Sequence, residues 1–425
     1  MDVLTIDPNM LRGTVQVPPS KSVAHRAIIA AALSRETCRI RNIAPSKDIL
    51  ATLRCMKALG TAFSVDEKEH TVVFERTAQR RIKKEAVLCC EESGSTLRFL
   101  IPLALLCAKT VTFVGKGRLM QRPQTPYFSI FDKKGISYHM EGDRLRVSGT
   151  LSAGHYALPG NVSSQFVSGL LFALPMLLGD SMIEITTEME SKAYLDLTLS
   201  VLKDFGISVT HENYRRFQIP GGQAYRACPY TVEADYSQAA FFLVAGALGC
   251  DVRCKGLRSD SLQGDRKILS LIEKTGAKLT RFSDGSVRAE PTATMRGIEI
   301  DAGEIPDLVP ILAVLCAFLR GESRIINAGR LRMKESDRLA AIASELSRLG
   351  ARVKEGTDSL TIEGSQTLHG ETVSAWNDHR IAMALSIAAC RCEGAVTLTG
   401  AKEAVKKSYP DFFAVYRALQ QSKTK

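Results

Sequence analysis

The sequence has no uninterrupted apolar run approaching the roughly 18 residues of a membrane-spanning helix. Arg98, Pro175 and Pro310 break the longest candidates, so no membrane span is expected. The opening residues MDVLTIDPN lack a charged segment followed by an apolar one, and no secretory signal is expected. There is no GxxxxGK, no GxGxxG after a strand and no HExxH, which removes motif support for ATP, NAD or catalytic zinc. Neither Cys89 and Cys90 nor Cys390 and Cys392 is followed by a second Cys or His pair at ligand spacing, so no metal or other cofactor is expected. The eleven cysteines are an odd number and lie mostly in apolar segments, as Cys107 and Cys316 do, the pattern of reduced thiols in a cytoplasmic protein. Long basic runs are also missing. Lys and Arg exceed Asp and Glu by 56 to 45, for a net charge of +11, but they are dispersed and have few aromatic neighbours to stack on bases. Small phosphorylated or carboxylated anions therefore suit the chain better than nucleic acid.

What the chain does have is a repeat. Apolar helices rich in small residues follow Lys21, Gly94, Ser164, Tyr236, Asp307 and Asp378, at differences of 73, 70, 72, 71 and 71. Amphipathic helices end at Gly60, Gly135, Gly206, Gly276 and Gly350, at differences of 75, 71, 70 and 74. Both markers give one period, so six units of about 72 residues are predicted, each strand, apolar helix, strand, amphipathic helix, strand. The sixth amphipathic helix is placed at Pro410 to Leu419. At 425 residues the chain exceeds the roughly 250 to 300 at which one core stops growing, and two domains are expected.

Charge collects at helix starts. Ser20-Lys21-Ser22, Ser93-Gly94-Ser95, Ser163-Ser164-Gln165, Asp235 with Ser237, Asp307, and Asn377-Asp378-His379-Arg380 open the apolar helices. Ser, Asp and Asn there are accounted for as N-caps. Lys21, Arg26, His379 and Arg380 are not, because a cation in the first turn opposes the helix dipole unless an anion is bound. The segment Leu331 to Gly350 opens with Arg332, Lys334, Glu335, Asp337 and Arg338 and continues as a helix with an apolar stripe. A capped start laced with ion pairs covers most such clusters, and a site for a multiply charged anion is the alternative. Gly115 to Thr125, GKGRLMQRPQT, reads as a basic loop, and Lys406-Lys407 again precede a helix.

Eight segments in order, PPSKSVAHR, SGSTLR, LMQRP, VSSQF, EIPD, LRMKESDR, WNDHR and KKSYPD, resemble the motifs of the EPSP synthase family, the 3-phosphoshikimate 1-carboxyvinyltransferases. The resemblance runs from Pro18 to Asp411. It implies an α/β enolpyruvyl transferase fold of two domains, with six βαβαββ units, three per domain, buried helices inside and sheets outside. The chain would cross between domains twice, giving one domain of residues 1–18 plus 235–425 and another of 19–234, with the active site in the cleft between them. It also implies a reaction. The 5-hydroxyl of shikimate 3-phosphate adds to phosphoenolpyruvate, the methylene is protonated, and phosphate leaves.

By the same resemblance, Lys21, Ser22, Arg26, Ser163, Ser164, Ser191, Tyr194, Asp307 and Lys334 are expected to bind shikimate 3-phosphate. Lys21, Gly94, Arg122, Gln165, Arg338, Arg380 and Lys407 are expected to bind phosphoenolpyruvate. Asp307 would take the hydroxyl proton, Glu335 would protonate the methylene and take a proton back, and Lys21 would assist the departing phosphate. A monomer in the cytoplasm is expected. Three positions depart from the family pattern. Glu92 and Arg330 stand where Asn is common, and Phe99 stands where Pro is common. The alternative function, a UDP-N-acetylglucosamine enolpyruvyl transferase, would carry a Cys in its mobile loop, and Gly115 to Thr125 has none. An RNA terminal phosphate cyclase would need a nucleotide-activating His and a nucleic-acid groove, for which the sequence offers no candidate.

Overall fold

The computed structural model describes residues 2–76, 82–364 and 367–421. Contacts divide the chain into two compact units, a terminal one of Met1–Ser20 with Glu233–Lys425 and a central one of Lys21–Val232. The divisions fall at 20/21 and 232/233, where the sequence reading placed them at 18/19 and 234/235.

The central unit contains α1 (Lys21–Leu33), α2 (Lys47–Ala58), α3 (Gly94–Ala104), α4 (Thr125–Lys134), α5 (Ser164–Ala173) and α6 (Lys192–Asp204). The terminal unit contains α7 (Tyr236–Ala247), α8 (Lys267–Lys274), α9 (Val309–Ala317), α10 (Arg338–Arg348), α11 (His379–Ala389), α12 (Ala401–Val405) and α13 (Phe412–Gln421). Helices apolar on every side have no face to give to water. Accordingly every residue of α7, α9 and α11 is buried, and α1, α3 and α5 nearly match them. The amphipathic helices bury one stripe, as α10 does with Leu339, Ile342, Ala343 and Leu346. The five glycines that mark the second period have φ of +100, +66, +78, +96 and +95, the left-handed step that ends a helix at little cost to glycine.

Among the described residues, six small sheets flank these helices. In the second repeat Lys83–Glu91 runs parallel to Ala108–Gly115, which pairs antiparallel with Arg144–Ser148, and that strand pairs with Ser137–Glu141. The third and fifth repeats copy this order with their own strands. The other three repeats borrow one. Tyr230–Thr231 lies parallel to Cys38–Arg41 in the first, Arg12–Gln16 lies parallel to Asp251–Lys255 in the fourth, and Val3–Ile6 pairs antiparallel with Val396–Thr399 in the sixth. The last sheet has three strands among the described residues. One complete unit per 72 residues thus holds along the chain only for the second, third and fifth repeats, because a sheet at a point of entry must take its missing strand from a distant segment.

The helices α3 and α5 touch through a specific device. Pro102 inside α3 has no N–H for the carbonyl of Arg98 one turn back. Tyr127 of α4 supplies the donor, with its hydroxyl 2.7 Å from Arg98 O and 3.0 Å from Phe166 O. A Cβ at Gly169 of α5 would stand 2.2 Å from that hydroxyl oxygen and 2.4 Å from Arg98 O, so the close approach requires glycine.

Candidate active site

In the central unit the helix starts are tied together by buried polar contacts. Lys21 Nζ donates to Asp48 Oδ2 of α2 at 2.9 Å. His25 Nδ1 lies 2.7 Å from Thr52 Oγ1, which lies 2.7 Å from Thr96 Oγ1, and Thr96 donates to Ser93 Oγ at 2.8 Å. This chain links α1, α2 and the N-cap of α3. Burial, reinforced by the charges of Lys21 and Arg26, holds the His25 pKa well below its usual value, so the imidazole is neutral. Arg26 is also buried. Its guanidinium donates to Ser22 O at 2.7 Å, Thr198 Oγ1 at 2.8 Å and Tyr194 O at 2.9 Å, and it lies 5.0 Å from the Phe99 ring centroid. Burial pulls its pKa down to about 10. Arg26 therefore meets Ser22 and Tyr194, both expected at the same ligand, through their backbone carbonyls.

The segment Gly115 to Thr125 is not simply a surface loop, since Leu119, Met120, Arg122 and Gln124 are buried. The Arg122 guanidinium lies against Gly94, where a Cβ would come within 2.8 Å of Nη1. Gln165 accepts from Arg98 Nη1 and donates to Ser95 Oγ, both at 3.0 Å. Ser163 caps α5 through Gln165 N–H at 3.3 Å, Ser164 is buried behind it, and Ser191 holds a left-handed φ of +56 before α6. Glu91 at the base of the loop pairs with Lys116 at 2.8 Å, whose hydrogen bond lowers its pKa. The Glu92 side chain packs against Gly117.

In the terminal unit the expected catalytic groups form one network. Asp307 sits in the tight turn Pro306–Leu308 that leads into α9, and Leu308, not Asp307, is the N-cap residue. The Asp307 carboxylate takes Arg380 Nη2 at 2.8 Å, Arg338 Nη1 at 2.9 Å and Lys334 Nζ at 3.4 Å. Arg338 also donates to Glu335 Oε2 and Asp378 Oδ2, each at 2.7 Å. Burial alone would lower the Arg338 pKa, but Asp378, Glu335 and Asp307 raise it overall. Accessibility grades this network. Arg338 and Asp378 are 1% and 0% exposed, whereas Asp307, Glu335 and Lys334 are 17%, 15% and 26% exposed. The more exposed groups are thus held by a buried ion pair, Arg338 with Asp378. Lys407 is buried and donates to Asn377 O.

Asp337 caps α10 through Ala340 N–H at 3.0 Å and pairs with Arg332 at 3.0 Å. Arg332 otherwise anchors to Glu355, Gly356 O and Thr357 O, a structural role. Arg330 donates to Gly303 O at 2.6 Å. The sequence reading missed two partners. Asp48 lies 27 residues from Lys21 with no motif of its own. Asp378 was visible in WNDHR, but it does cap α11, through Arg380 N–H at 2.9 Å, and a capping role already accounts for an Asp there.

With this geometry established, the whole chain can be compared with known proteins. The family model described as EPSP synthase (3-phosphoshikimate 1-carboxyvinyltransferase) matches residues 6–416. The chain belongs to the EPSP synthase family. A 3-phosphoshikimate 1-carboxyvinyltransferase of Clostridium acetobutylicum is 49% identical over 422 residues, covering 99% of this chain and 97% of that protein. That of Clostridium kluyveri is 46% identical over 421 residues, covering 99% and 97%. Among solved structures, an EPSP synthase from Acinetobacter baumannii superposes with a TM-score of 0.79 at 25% identity, over 98% of each chain. The enolpyruvyl transferase NikO from Streptomyces tendae gives 0.79 at 19% identity, over 98% of this chain and 97% of its own, a likeness of fold. The match takes in two of the borrowed strands, Arg12–Gln16 and Tyr230–Thr231, as well as the repeats.

Proposed function

We propose that this chain transfers the enolpyruvyl group of phosphoenolpyruvate to the 5-hydroxyl of shikimate 3-phosphate, releasing phosphate and forming 5-enolpyruvylshikimate 3-phosphate in aromatic amino acid (chorismate) biosynthesis. The observation that carries the reading is the pair of accessible carboxylates, Asp307 and Glu335, joined by the buried Arg338. Addition and elimination each need a proton moved at a different atom, and two acids held by one guanidinium fit that need. Asp307 accepts the hydroxyl proton. Glu335 gives a proton to the methylene carbon and removes one from it as the carbon–phosphate oxygen bond breaks. Lys21 neutralises the departing phosphate.

Shikimate 3-phosphate is assigned to Lys21, Ser22, Ser163, Ser164, Ser191, Tyr194, Asp307 and Lys334, with Arg26 acting from behind by holding the Ser22 and Tyr194 carbonyls. Phosphoenolpyruvate is assigned to Lys21, Gly94, Arg122, Gln165, Arg338, Arg380 and Lys407. Guanidinium forks suit its carboxylate and phosphate. Arg338 and Arg380 already share Asp307, so they serve the substrate by dividing their donors between it and that carboxylate, which frees Asp307 to receive a proton. The enzyme is assigned to the cytoplasm as a monomer acting on small anions, without metal, nucleotide or nucleic acid.

Purified protein should release phosphate only when both shikimate 3-phosphate and phosphoenolpyruvate are supplied. Release with UDP-N-acetylglucosamine in place of the former would overturn the assignment. Glu335→Gln and Asp307→Asn should each lower kcat about 10²- to 10⁴-fold, the usual span for a lost general acid or base, with much smaller changes in phosphoshikimate affinity. Equal losses in both would make them binding residues.

A further inference from the structure

Beyond the residues assigned above, α10 carries one more buried carboxylate. Glu345 lies on the helix that begins with Arg338, its side chain is 5% exposed, and each oxygen has a donor. Trp376 Nε1–H reaches Oε1 at 2.7 Å and Ser374 N–H reaches Oε2 at 3.0 Å, while Arg348 stands 3.9 Å away. An apolar side chain would suit this face of α10 on packing grounds alone, and a buried carboxylate is costly without such partners. What it holds is strained. Trp376 and Asn377 both have φ of +51, two consecutive left-handed steps at residues that carry a Cβ, one of them bulky.

The strained step delivers much of the site described above. Asn377 O accepts from Lys407 Nζ. The next residue, Asp378, grips Arg338 Nε and caps α11 at the N–H of Arg380. One helix thus holds this segment twice, with Arg338 on Asp378 and Glu345 on Trp376.

We propose that Glu345 and Trp376 form a positioning clamp for the phosphoenolpyruvate-binding cations, holding the Trp376–Asn377 step so that Asn377 O orients Lys407 and α11 presents Arg380. Neither side chain touches substrate; Glu345 acts through Trp376, and Trp376 through the backbone that follows it. The clamp rests on the assignment of Lys407 and Arg380 to phosphoenolpyruvate made above.

Trp376 is the only tryptophan in the chain, so its fluorescence reports the contact directly. Glu345→Gln and Trp376→Phe are compared with wild type and with Lys407→Met. Glu345→Gln should change the emission maximum or acrylamide quenching of Trp376. Both clamp variants should raise KM for phosphoenolpyruvate about three- to tenfold, the effect of one net hydrogen bond, while KM for shikimate 3-phosphate and the melting temperature stay near wild type. The double variant should be no worse than the more affected single one. A purely structural contact would lower Tm without separating the two KM values. The clamp is overturned if Lys407→Met raises KM for phosphoenolpyruvate while both clamp variants leave it unchanged, or if their effects add. If Lys407→Met leaves that KM unchanged, the substrate assignment fails instead and the clamp loses its purpose, even where the emission change shows the contact to exist.

Discussion

Single buried charges do much of the shaping of the terminal unit, and Asp265 is the one whose ionisation should be visible in solution. It lies in the turn Gly264–Arg266, buried, with no hydrogen-bond donor to Oδ1 among the described residues. Burial first, then the charge of Asp307, raise its pKa; Arg380 opposes this and Asp235 adds to it, leaving the carboxyl at about 7. The folded value is above the unfolded one of about 3.9. Asp265 therefore stabilises the fold most at low pH, and that contribution is lost as pH rises through about 7. Asp265→Asn keeps the shape and cannot ionise. Its melting temperature relative to wild type should be more favourable at about pH 8 than at about pH 5, measured by thermal melts in matched buffers. A difference independent of pH would mean that the acid is already ionised across the range. The sequence alone offered no sign of Asp265, because QGD reads as an ordinary turn and the acid's surroundings are distant in the chain. Lys334, Glu335 and Arg338, packed into five residues, were conspicuous from the start.

Among the secondary-structure elements, the packing of α3 on α5 depends on one hydroxyl. Tyr127→Phe leaves Arg98 O without its donor in a buried contact where Pro102 cannot replace it, and should cost about 1–3 kcal/mol of stability, the penalty of an unsatisfied buried acceptor. Denaturant unfolding measures this, and a loss of only a few tenths would show that the carbonyl finds another donor. Helix identity was readable in advance from local pattern, since the apolar runs and the glycine stops sit where the helices and their left-handed ends do. The helix expected from Pro410 to Leu419 spans Phe412–Gln421, a shift of two residues that local propensity does not resolve. The Tyr127 contact was not readable. Nothing in α4 announces the proline inside the preceding helix, α3.

Across the whole molecule the excess of 56 Lys and Arg over 45 Asp and Glu should favour capture of two anionic substrates from solution. Raising KCl should therefore raise KM for both substrates while changing kcat less, since salt screens approach more than short-range contacts. A steady-state series at several salt concentrations tests this, and constant KM values would leave the net charge without a part in capture. At this scale the sequence by itself determined the six-fold period, the buried and half-wet helix classes, the helix ends and the stretches where charge gathers, because each is encoded within a few turns of chain. Only the tertiary structure decided which strand completes each sheet, with Val3–Ile6, Arg12–Gln16 and Tyr230–Thr231 closing repeats far from their own position. It also decided the partner of each charge. Asp307 meets Arg338 and Arg380 across 31 and 73 residues, and separations of that size carry no local signature, because they arise only when buried helices bring their starts together.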